Sequence, residues 1–331
     1  METRIKRVAW VVTLAVTVAG AASAQWTWAP QTGRWINVKR LPKETAELQL
    51  EFARSLFLKE EYKRALRETD KFQKFYGDDE LADENLFLRG QIFMADGKWL
   101  RAAKELQLVI SEYPESDLFD RVIELQYAIG DRYHKKGEAN AKKRWRLFRK
   151  KPFKKAIEVY TMVIDNQPFT DAAAEAQYKV GLCQASRGDY LAAAYEYRRV
   201  IEDYSSSDWV DDASYGLAQC YYEASLPSQY DQTPSALAVR AMDEFLQRYP
   251  EDQRSGEIAE KRVEMRETIA AQRLQIAHFY KKRRDFDAAR LYYEVVVEQF
   301  GDTQAGNEAA EWLAENPLAE KQAAAVSRGS Q

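Results

Sequence analysis

A pattern of twenty-one residues recurs along this chain and restricts it to a fold that is built from repeats. The copy at 187–207 reads RGDYLAAAYEYRRVIEDYSSS, with an aromatic residue at its fourth place and an alanine at its seventh. A further copy, at 232–252, has Ser235 at the fourth place but keeps the alanine. Six copies of one pattern define a repeat protein, because each unit buries its apolar face only against its neighbours. The pairs of aromatic and alanine are Tyr62 and Ala65, Trp99 and Ala102, Phe153 and Ala156, Tyr190 and Ala193, and Phe286 and Ala289.

The spacing within and between the copies predicts that each repeat is a hairpin of two helices. Fourth-place residues are separated by 37, 54, 37, 45 and 51 positions, so the basic unit has 37 residues and three units carry insertions. Apolar residues recur every three or four positions, which is the period of an amphipathic helix. Gly90 and Gly181 stand twelve positions before Ala102 and Ala193. Small residues at both places let two helices cross closely, and we expect the aromatic to fill the wedge beside the crossing.

This arrangement resembles the tetratricopeptide repeat, and the resemblance implies an all-α solenoid of about six helical hairpins. Turns of the Gly-Lys-Trp or Gly-Asp-Tyr kind precede the second helix, and Pro114 and Pro250 follow it. The first and second helices of each repeat are called helix A and helix B below. Trp99, Tyr190 and Phe286 are interpreted as core residues at the start of helix B, and not as parts of a ligand site.

The composition and the motifs exclude several classes of function. With 46% apolar and 31% charged residues, the 331-residue chain has the balance of a helix-rich globular protein. Its 49 basic and 52 acidic residues give a net charge of -3, so no overall field attracts nucleic acid. There is no glycine-rich phosphate loop or zinc-spaced cysteine set, and neither His134 nor His278 has a cysteine or a second histidine at metal-ligand spacing. We therefore predict a binding protein without catalytic residues, cofactor or metal.

Residues 1–24 have the features of a secretory signal peptide. Arg4, Lys6 and Arg7 precede a thirteen-residue apolar run, and Ala22-Ser23-Ala24 offers small residues to a signal peptidase. Cleavage after Ala24 would export the protein from the cytoplasm. A retained anchor is the alternative, but the run is shorter than the ~20 apolar residues of a spanning helix.

The segment 25–44 is rich in tryptophan and precedes the first repeat. Trp26, Trp28 and Trp35 flank a turn at 30–33, which suits a small hairpin or an arm strapped to the first repeat. One interpretation is a cap, because the ends of a solenoid need cover. The other is a tether for a partner protein.

The strongest local charge lies in an insertion at 135–155, where eleven basic residues accompany a single acid, Glu138. Basic and aromatic residues together suit anionic lipid headgroups, nucleic acid or an acidic protein surface. Export makes nucleic acid the least favoured of the three, and a solvated loop is an equal alternative. The candidate anionic-surface patch comprises Lys142, Lys143, Arg144, Trp145, Arg146, Arg149, Lys150 and Lys151.

The two cysteines are predicted to be buried free thiols. Cys183 and Cys220 are 37 positions apart, so they occupy equivalent places on helix A of adjacent repeats. Neighbouring helix axes lie ~8 to 10 Å apart, whereas a disulfide needs Cα atoms within ~7 Å of each other.

From about Phe153 to Ala305 the chain resembles the BamD family, a component of the machine that folds β-barrels into the bacterial outer membrane. The resemblance rests on Pro-Phe-Thr at 168–170, Ala277-x-x-Tyr280 before the last turn and Asp302-Thr303-x-Ala305 at the end. It implies a periplasmic scaffold, associated with the outer membrane, whose C-terminal repeats engage the barrel-forming subunit and whose N-terminal groove takes unfolded barrel chains. The alternative is another envelope scaffold, tied to peptidoglycan or cell division. Family members typically carry a cysteine at the signal cleavage site, where this chain has Ala24-Gln25.

Partner-binding residues are expected on helix A, at places that face neither helix B nor the next repeat. Exposed aromatic residues and a methionine there suit varied, extended clients, and the alternative is that Phe57 and Phe87 pack under the tryptophan-rich arm. The predicted organisation is N-terminal hairpins at 45–120, a BamD-like region at 121–315 and a disordered tail at 316–331. The eight candidate residues are Leu50, Arg54, Phe57, Phe87, Gln91, Met94, Tyr178 and Leu182.

Overall fold

The computed structural model describes residues 26–29, 34–37, 41–141, 151–225 and 233–317. The proposed signal peptide and residues 318–331 of the proposed tail lie outside this part of the chain. Within the described ranges there are two strands, β1 (Trp26–Ala29) and β2 (Arg34–Asn37), and thirteen helices. The helices are α1 (Ala46–Leu58), α2 (Tyr62–Phe75), α3 (Ala82–Ala95), α4 (Trp99–Glu112), α5 (Phe119–Ala141), α6 (Lys151–Asn166), α7 (Asp171–Ser186), α8 (Tyr190–Asp203), α9 (Val210–Ser225), α10 (Thr233–Arg248), α11 (Ser255–Lys282), α12 (Phe286–Phe300) and α13 (Gln304–Glu315).

Helices α1 to α12 form six A–B pairs, in which each odd-numbered helix is helix A. Contacts between the two helices make hairpins of the pairs α1–α2, α3–α4, α7–α8, α9–α10 and α11–α12. In the remaining pair, Gly130 and Gly137 of α5 lie against the rings of Tyr160 and Phe153 of α6. Threonine N-caps begin several helices, as at Thr45 before α1 and Thr170 before α7, where the hydroxyl accepts a hydrogen bond from a backbone N–H. The predicted all-α fold of about six hairpins is confirmed, with one small β-hairpin in addition.

That β-hairpin lies in the tryptophan-rich segment. β1 and β2 pair antiparallel, with Trp28 opposite Trp35 and Trp26 opposite Asn37. The predicted small hairpin is therefore confirmed for the backbone. The turn at 30–33 lies outside the described residues.

The chain divides into two compact units, residues 1–129 (unit 1) and 130–331 (unit 2), with the boundary inside α5. In unit 1 the close crossing of α3 and α4 is confirmed, because a Cβ added to Gly90 would lie 2.6 Å from Leu106 and 3.6 Å from the carbonyl oxygen of Ala102. The core around α1, α2 and α3 consists mainly of small and aliphatic residues: Ala46, Leu50, Ala53, Leu56, Ala65, Phe72, Ala82, Leu88 and Ile92.

In unit 2 the glycines of helix A receive aromatic rings from helix B. A Cβ on Gly181 would lie 2.6 Å from the ring of Tyr197, and a Cβ on Gly216 would lie 2.8 Å from the same ring. Gly130 faces Tyr160 in the same way. Gly181 therefore packs against Tyr197, one turn after Ala193, and not against Ala193 as expected. Because glycine has no side chain, the ring can lie directly on the backbone of helix A.

The turns between helix A and helix B share one backbone geometry. The second place of the pattern is left-handed at Glu60 (φ 61°), Gly97 (φ 76°), Gly188 (φ 77°) and Arg284 (φ 61°). In each turn the backbone N–H of this left-handed residue donates to the carbonyl three residues before it. The N–H of the following residue donates to the carbonyl five residues before that residue. This pair of hydrogen bonds is the Schellman motif, which favours glycine at the left-handed position.

We expect Glu60→Gly to stabilise unit 1. A non-glycine residue at positive φ costs ~1 to 2 kcal/mol, and glycine loses ~0.5 to 1 kcal/mol through the entropy of the unfolded chain. The free energy of unfolding should therefore rise by ~0.5 to 1 kcal/mol, measured by urea denaturation followed by circular dichroism. Gly97→Ala at the equivalent place is the matched control and should lower it by ~1 kcal/mol. A destabilising Glu60→Gly would contradict this interpretation of the turn.

The fourth-place aromatics are less uniformly buried than predicted. Phe153 is buried, but Trp99 and Tyr190 are half-buried and Phe286 is 56% exposed, so its assignment to the core is wrong. Trp99, Tyr190 and Phe286 are the first residues of their helices, where no preceding turn of the same helix covers them. Phe153 differs because α5 runs past the end of the hairpin and brings Gly137 against its ring.

The basic insertion is partly helical at both ends. α5 continues to Ala141 and α6 begins at Lys151, so only residues 142–150 lie outside the described residues. None of the helices in the described ranges combines the length and the hydropathy that a membrane-spanning segment requires.

Candidate partner-binding surfaces

Two of the eight residues predicted on the helix A surface are buried. Leu50 and Phe87 are 3% and 6% exposed, so the expectation that they line an open surface is wrong. Leu50 belongs to the core of unit 1. The guanidinium of Arg121, on α5, lies 4.8 Å from the centre of the Phe87 ring. Phe87 is therefore covered by the next helix A, a contact that counting along one helix does not anticipate.

Four candidates keep exposed or half-exposed side chains on α1 and α3. The guanidinium of Arg54 donates a hydrogen bond to the Glu84 carboxylate at 2.9 Å, which joins the two helices. Phe57 and Met94 add apolar surface near the ends of their helices, where both are half-buried. This region combines an ion pair with adaptable apolar side chains, which suits a varied set of extended ligands. We call it the unit 1 surface, defined by Arg54, Phe57, Gln91 and Met94.

The two candidates in unit 2 lie against its aromatic core. Tyr178 stacks on Trp209 with ring centres 5.0 Å apart and lies 5.5 Å from Tyr197. Burial raises the pKa of Tyr178 to about 12. Leu182 is half-buried against the same core. Both residues therefore offer a partner only part of their surface.

Sequence reasoning missed the residues that extend this surface onto α9 and α11. The amide of Gln219 donates to the Tyr215 hydroxyl and to the Glu257 carboxylate, both at 3.0 Å. Lys261 donates to Gln219 and Glu257, both at 2.7 Å. The hydrogen bond from Lys261 lowers the pKa of Glu257. A signal existed, since Tyr215 and Gln219 follow Tyr178 and Leu182 by one 37-residue unit. We call this the unit 2 surface: Tyr178, Leu182, Tyr215, Gln219, Glu257 and Lys261.

Arg254 holds the unit 2 surface in place. Its guanidinium lies 4.8 Å from the centre of the Tyr215 ring and donates to the carboxylate of Asp252 at 2.7 Å and to that of Asp211 at 3.4 Å. This guanidinium lowers the pKa of Asp252 to about 2. The tyrosine ring is thus fixed on α9 by a charged side chain at the start of α11.

The two cysteines are free and buried, as predicted. Burial raises the pKa of both Cys183 and Cys220 to about 12. Because the thiolate is the reactive form of cysteine, neither side chain is chemically poised at neutral pH. Both act as small apolar residues of helix A.

The candidate anionic-surface patch falls mostly outside the described part of the chain. Only Lys151 is described, and it is exposed in the first turn of α6. Whether the patch binds an anionic surface stays a prediction.

Comparisons with known proteins give a match to one family over most of unit 2. A family model described as outer membrane lipoprotein (YfiO) matches residues 139–328, which is more than half of the chain. A tetratricopeptide-repeat model matches residues 84–116, the region of α3 and α4. A search of curated protein sequences gave no match.

Solved structures with similar features include several tetratricopeptide-repeat proteins. One, from Thermus thermophilus, is 14% identical with a TM-score of 0.33 and covers 66% of this chain and 98% of its own. Another, from Cytophaga hutchinsonii, is 12% identical with a TM-score of 0.34 and covers 81% of this chain and 88% of its own. YrrB, described as having an unusual peptide-binding site, is 18% identical with a TM-score of 0.32 and covers 66% and 93%. Likenesses this distant give no information about partners.

Proposed function

Because the chain belongs to the outer membrane lipoprotein family YfiO, we propose that it is a periplasmic scaffold that assists the insertion of β-barrel proteins into the outer membrane. The resemblance to the BamD family is confirmed by this match, and the match is the observation that carries the proposal. Tetratricopeptide-repeat proteins bind protein partners, and this role requires no catalytic residue or cofactor. Export through a signal peptide at residues 1–24 is part of the proposal.

The two surfaces suit two kinds of partner. The unit 1 surface would take unfolded barrel chains, because half-buried Phe57 and Met94 can adapt to varied apolar side chains. The unit 2 surface would engage the folded barrel-forming subunit, because its side chains are already held by one another. Preorganised polar groups favour a partner with one fixed shape. This division follows the resemblance, in which the C-terminal repeats contact the barrel-forming subunit.

Crosslinking in intact cells, followed by mass spectrometry of the captured proteins, tests the proposal. We expect the barrel-forming subunit and unfolded outer-membrane proteins among the crosslinked partners. A set made up of peptidoglycan or cell-division proteins would favour the alternative, another envelope scaffold. Capture of cytoplasmic proteins alone would contradict both, since each requires export.

The role of the unit 1 surface predicts a specific loss of peptide binding. Phe57→Ala combined with Met94→Ala should weaken the binding of peptides from unfolded barrel proteins about tenfold, because exposed anchor residues carry most of such binding energy. Phe87→Ala is unsuitable, since that ring is buried and its loss would destabilise unit 1. Fluorescence titration of the full chain measures the affinity.

Phe75→Ala is the matched control for this experiment. Phe75 is also an exposed phenylalanine of unit 1, but it lies on helix B at the end of α2. Its loss should leave the peptide affinity unchanged, and circular dichroism should show both variants folded. Equal weakening by the control and by the double variant would assign the binding to general hydrophobicity and not to the unit 1 surface.

A further inference from the structure

The turn between α11 and α12 carries a run of four cationic residues. Lys281, Lys282, Arg283 and Arg284 follow one another and are all exposed. Among the described residues, none of the four takes part in an ion pair. The next residue, Asp285, uses its carboxylate to accept a hydrogen bond from the backbone N–H of Ala288 at 3.2 Å. With four cations and the two carboxylates of Asp285 and Asp287, segment 281–287 keeps a net charge of +2, and no ion pair joins these groups among the described residues.

Two phenylalanines flank the cationic run. Phe279 is 51% exposed and Phe286 is 56% exposed, one on each side of the turn. The guanidinium of Arg283 lies 5.4 Å from the centre of the Phe279 ring. Two large exposed apolar side chains on one turn depart from the single, scattered ones that are normal on a protein surface. The basic-aromatic turn is the name used below for Phe279, Lys281, Lys282, Arg283, Arg284 and Phe286.

Contacts between α11, α12 and α13 hold the backbone of the basic-aromatic turn. Tyr280 and Tyr292 stack with ring centres 5.2 Å apart and an angle of 7° between the rings, which joins α11 to α12 directly behind the turn. The backbone N–H of Asp285 donates to the carbonyl of Tyr280 at 3.1 Å. The ammonium of Lys281, although exposed, lies 5.9 Å from the centre of the Trp312 ring on α13. These contacts fix the backbone from which the exposed side chains project.

The stability of the C-terminal end of α11 does not explain why four cations and two exposed phenylalanines occur in this turn. Cations in the last turn of a helix interact favourably with its dipole, which explains Lys281 and Lys282. Arg284 has a φ of 61°, at the place where the equivalent turn has Gly188, and a non-glycine residue there is strained. In that equivalent turn Arg187 pairs with Asp189 at 2.8 Å, and Arg283 has no such pairing among the described residues. The positive φ is shared with Glu60 in another of these turns, so this turn is distinguished by its four cations together with two exposed rings.

We propose that the basic-aromatic turn binds the surface of an anionic lipid bilayer. Its cations would contact the headgroups, and its two rings would enter the interface, as in other basic and aromatic membrane-binding segments. A bilayer fits better than an acidic protein, because a turn at the end of a hairpin projects its rings outward instead of enclosing a partner's side chain. The chain as a whole has a net charge of -3, so any attraction to an anionic bilayer must come from a local cationic cluster such as this turn. The inference does not depend on which proteins the scaffold binds.

Vesicle flotation of the full chain tests the inference. The probes are vesicles of phosphatidylethanolamine with phosphatidylglycerol and, for comparison, vesicles of phosphatidylcholine alone. Replacing Lys281, Lys282, Arg283 and Arg284 by glutamine should lower partitioning onto the anionic vesicles about a hundredfold. Phe279→Ser with Phe286→Ser should also weaken binding and should make the remainder more sensitive to salt, because only the screened charge contribution is left.

The matched control replaces four exposed cations of unit 1, Lys59, Lys63, Arg67 and Lys74, by glutamine. It changes the net charge equally and should leave vesicle binding unchanged. Circular dichroism melting checks that every variant is folded. Three results would overturn the inference: equal loss in the control, equal binding to phosphatidylcholine, or loss only when Lys142, Lys143, Arg144 and Arg146 are replaced instead. A turn that binds an acidic protein but no vesicle would also overturn it.

Discussion

Replacing Tyr197 by alanine is expected to lower the free energy of unfolding by ~3 to 5 kcal/mol, as for other large buried aromatic residues. The side chain is 2% exposed and lies between Gly181 of α7 and Gly216 of α9, with Tyr178 against it. Gly181 and Gly216, which contact the ring from two neighbouring helices, have no side chains that could move into the space that the ring leaves. The cavity should therefore persist, and the whole of this loss in the free energy of unfolding should be measured.

Tyr195→Ala on the same helix is the matched control. Tyr195 is 62% exposed, so its loss should change the free energy of unfolding by less than ~0.5 kcal/mol. Urea denaturation followed by circular dichroism measures both variants. A similar loss in the two variants would mean that the ring of Tyr197 is not the centre of the core of unit 2.

Gly181→Leu is expected to lower the free energy of unfolding by at least ~3 kcal/mol, because it overfills the space next to the ring where Tyr197→Ala would leave a cavity. A Cβ at this position would lie 2.6 Å from the Tyr197 ring, and Gly216 already lies against that ring from its own helix. The ring cannot move away without entering α9, so α7 and α8 must separate. A fall of roughly 5 to 15 °C in the melting temperature should accompany this loss, on the scale of a unit of this size.

The same substitution at Gly256 separates the clash from a general effect of losing a glycine. Gly256 is the second residue of α11, and a Cβ there would have no atom within 4 Å. Gly256→Leu should raise the free energy of unfolding by up to ~1 kcal/mol, because leucine favours a helix more than glycine does. If both leucine variants are destabilised alike, the contact between Gly181 and Tyr197 is not the cause.

Most of the candidate site could be placed on helix A from the sequence, but its accessible part could not. The count along helix A identified Arg54, Phe57 and Met94, which keep exposed surface, and also Phe87, which Arg121 covers. Periodicity states which face of a helix a residue occupies and does not state what lies opposite that face. For the same reason the network around Gln219 was missed, since its partners come from two helices.

The sequence by itself determined the helical hairpins and the turns between them. These properties are local: a period of three or four residues defines a helix, and Gly97 and Gly188 mark turns that need a left-handed residue. Only the tertiary structure decided that Phe153 is buried and Phe286 is exposed, although both occupy the same place of the repeat. Burial depends on how far the neighbouring helix extends, and α5 reaches Gly137 to cover Phe153.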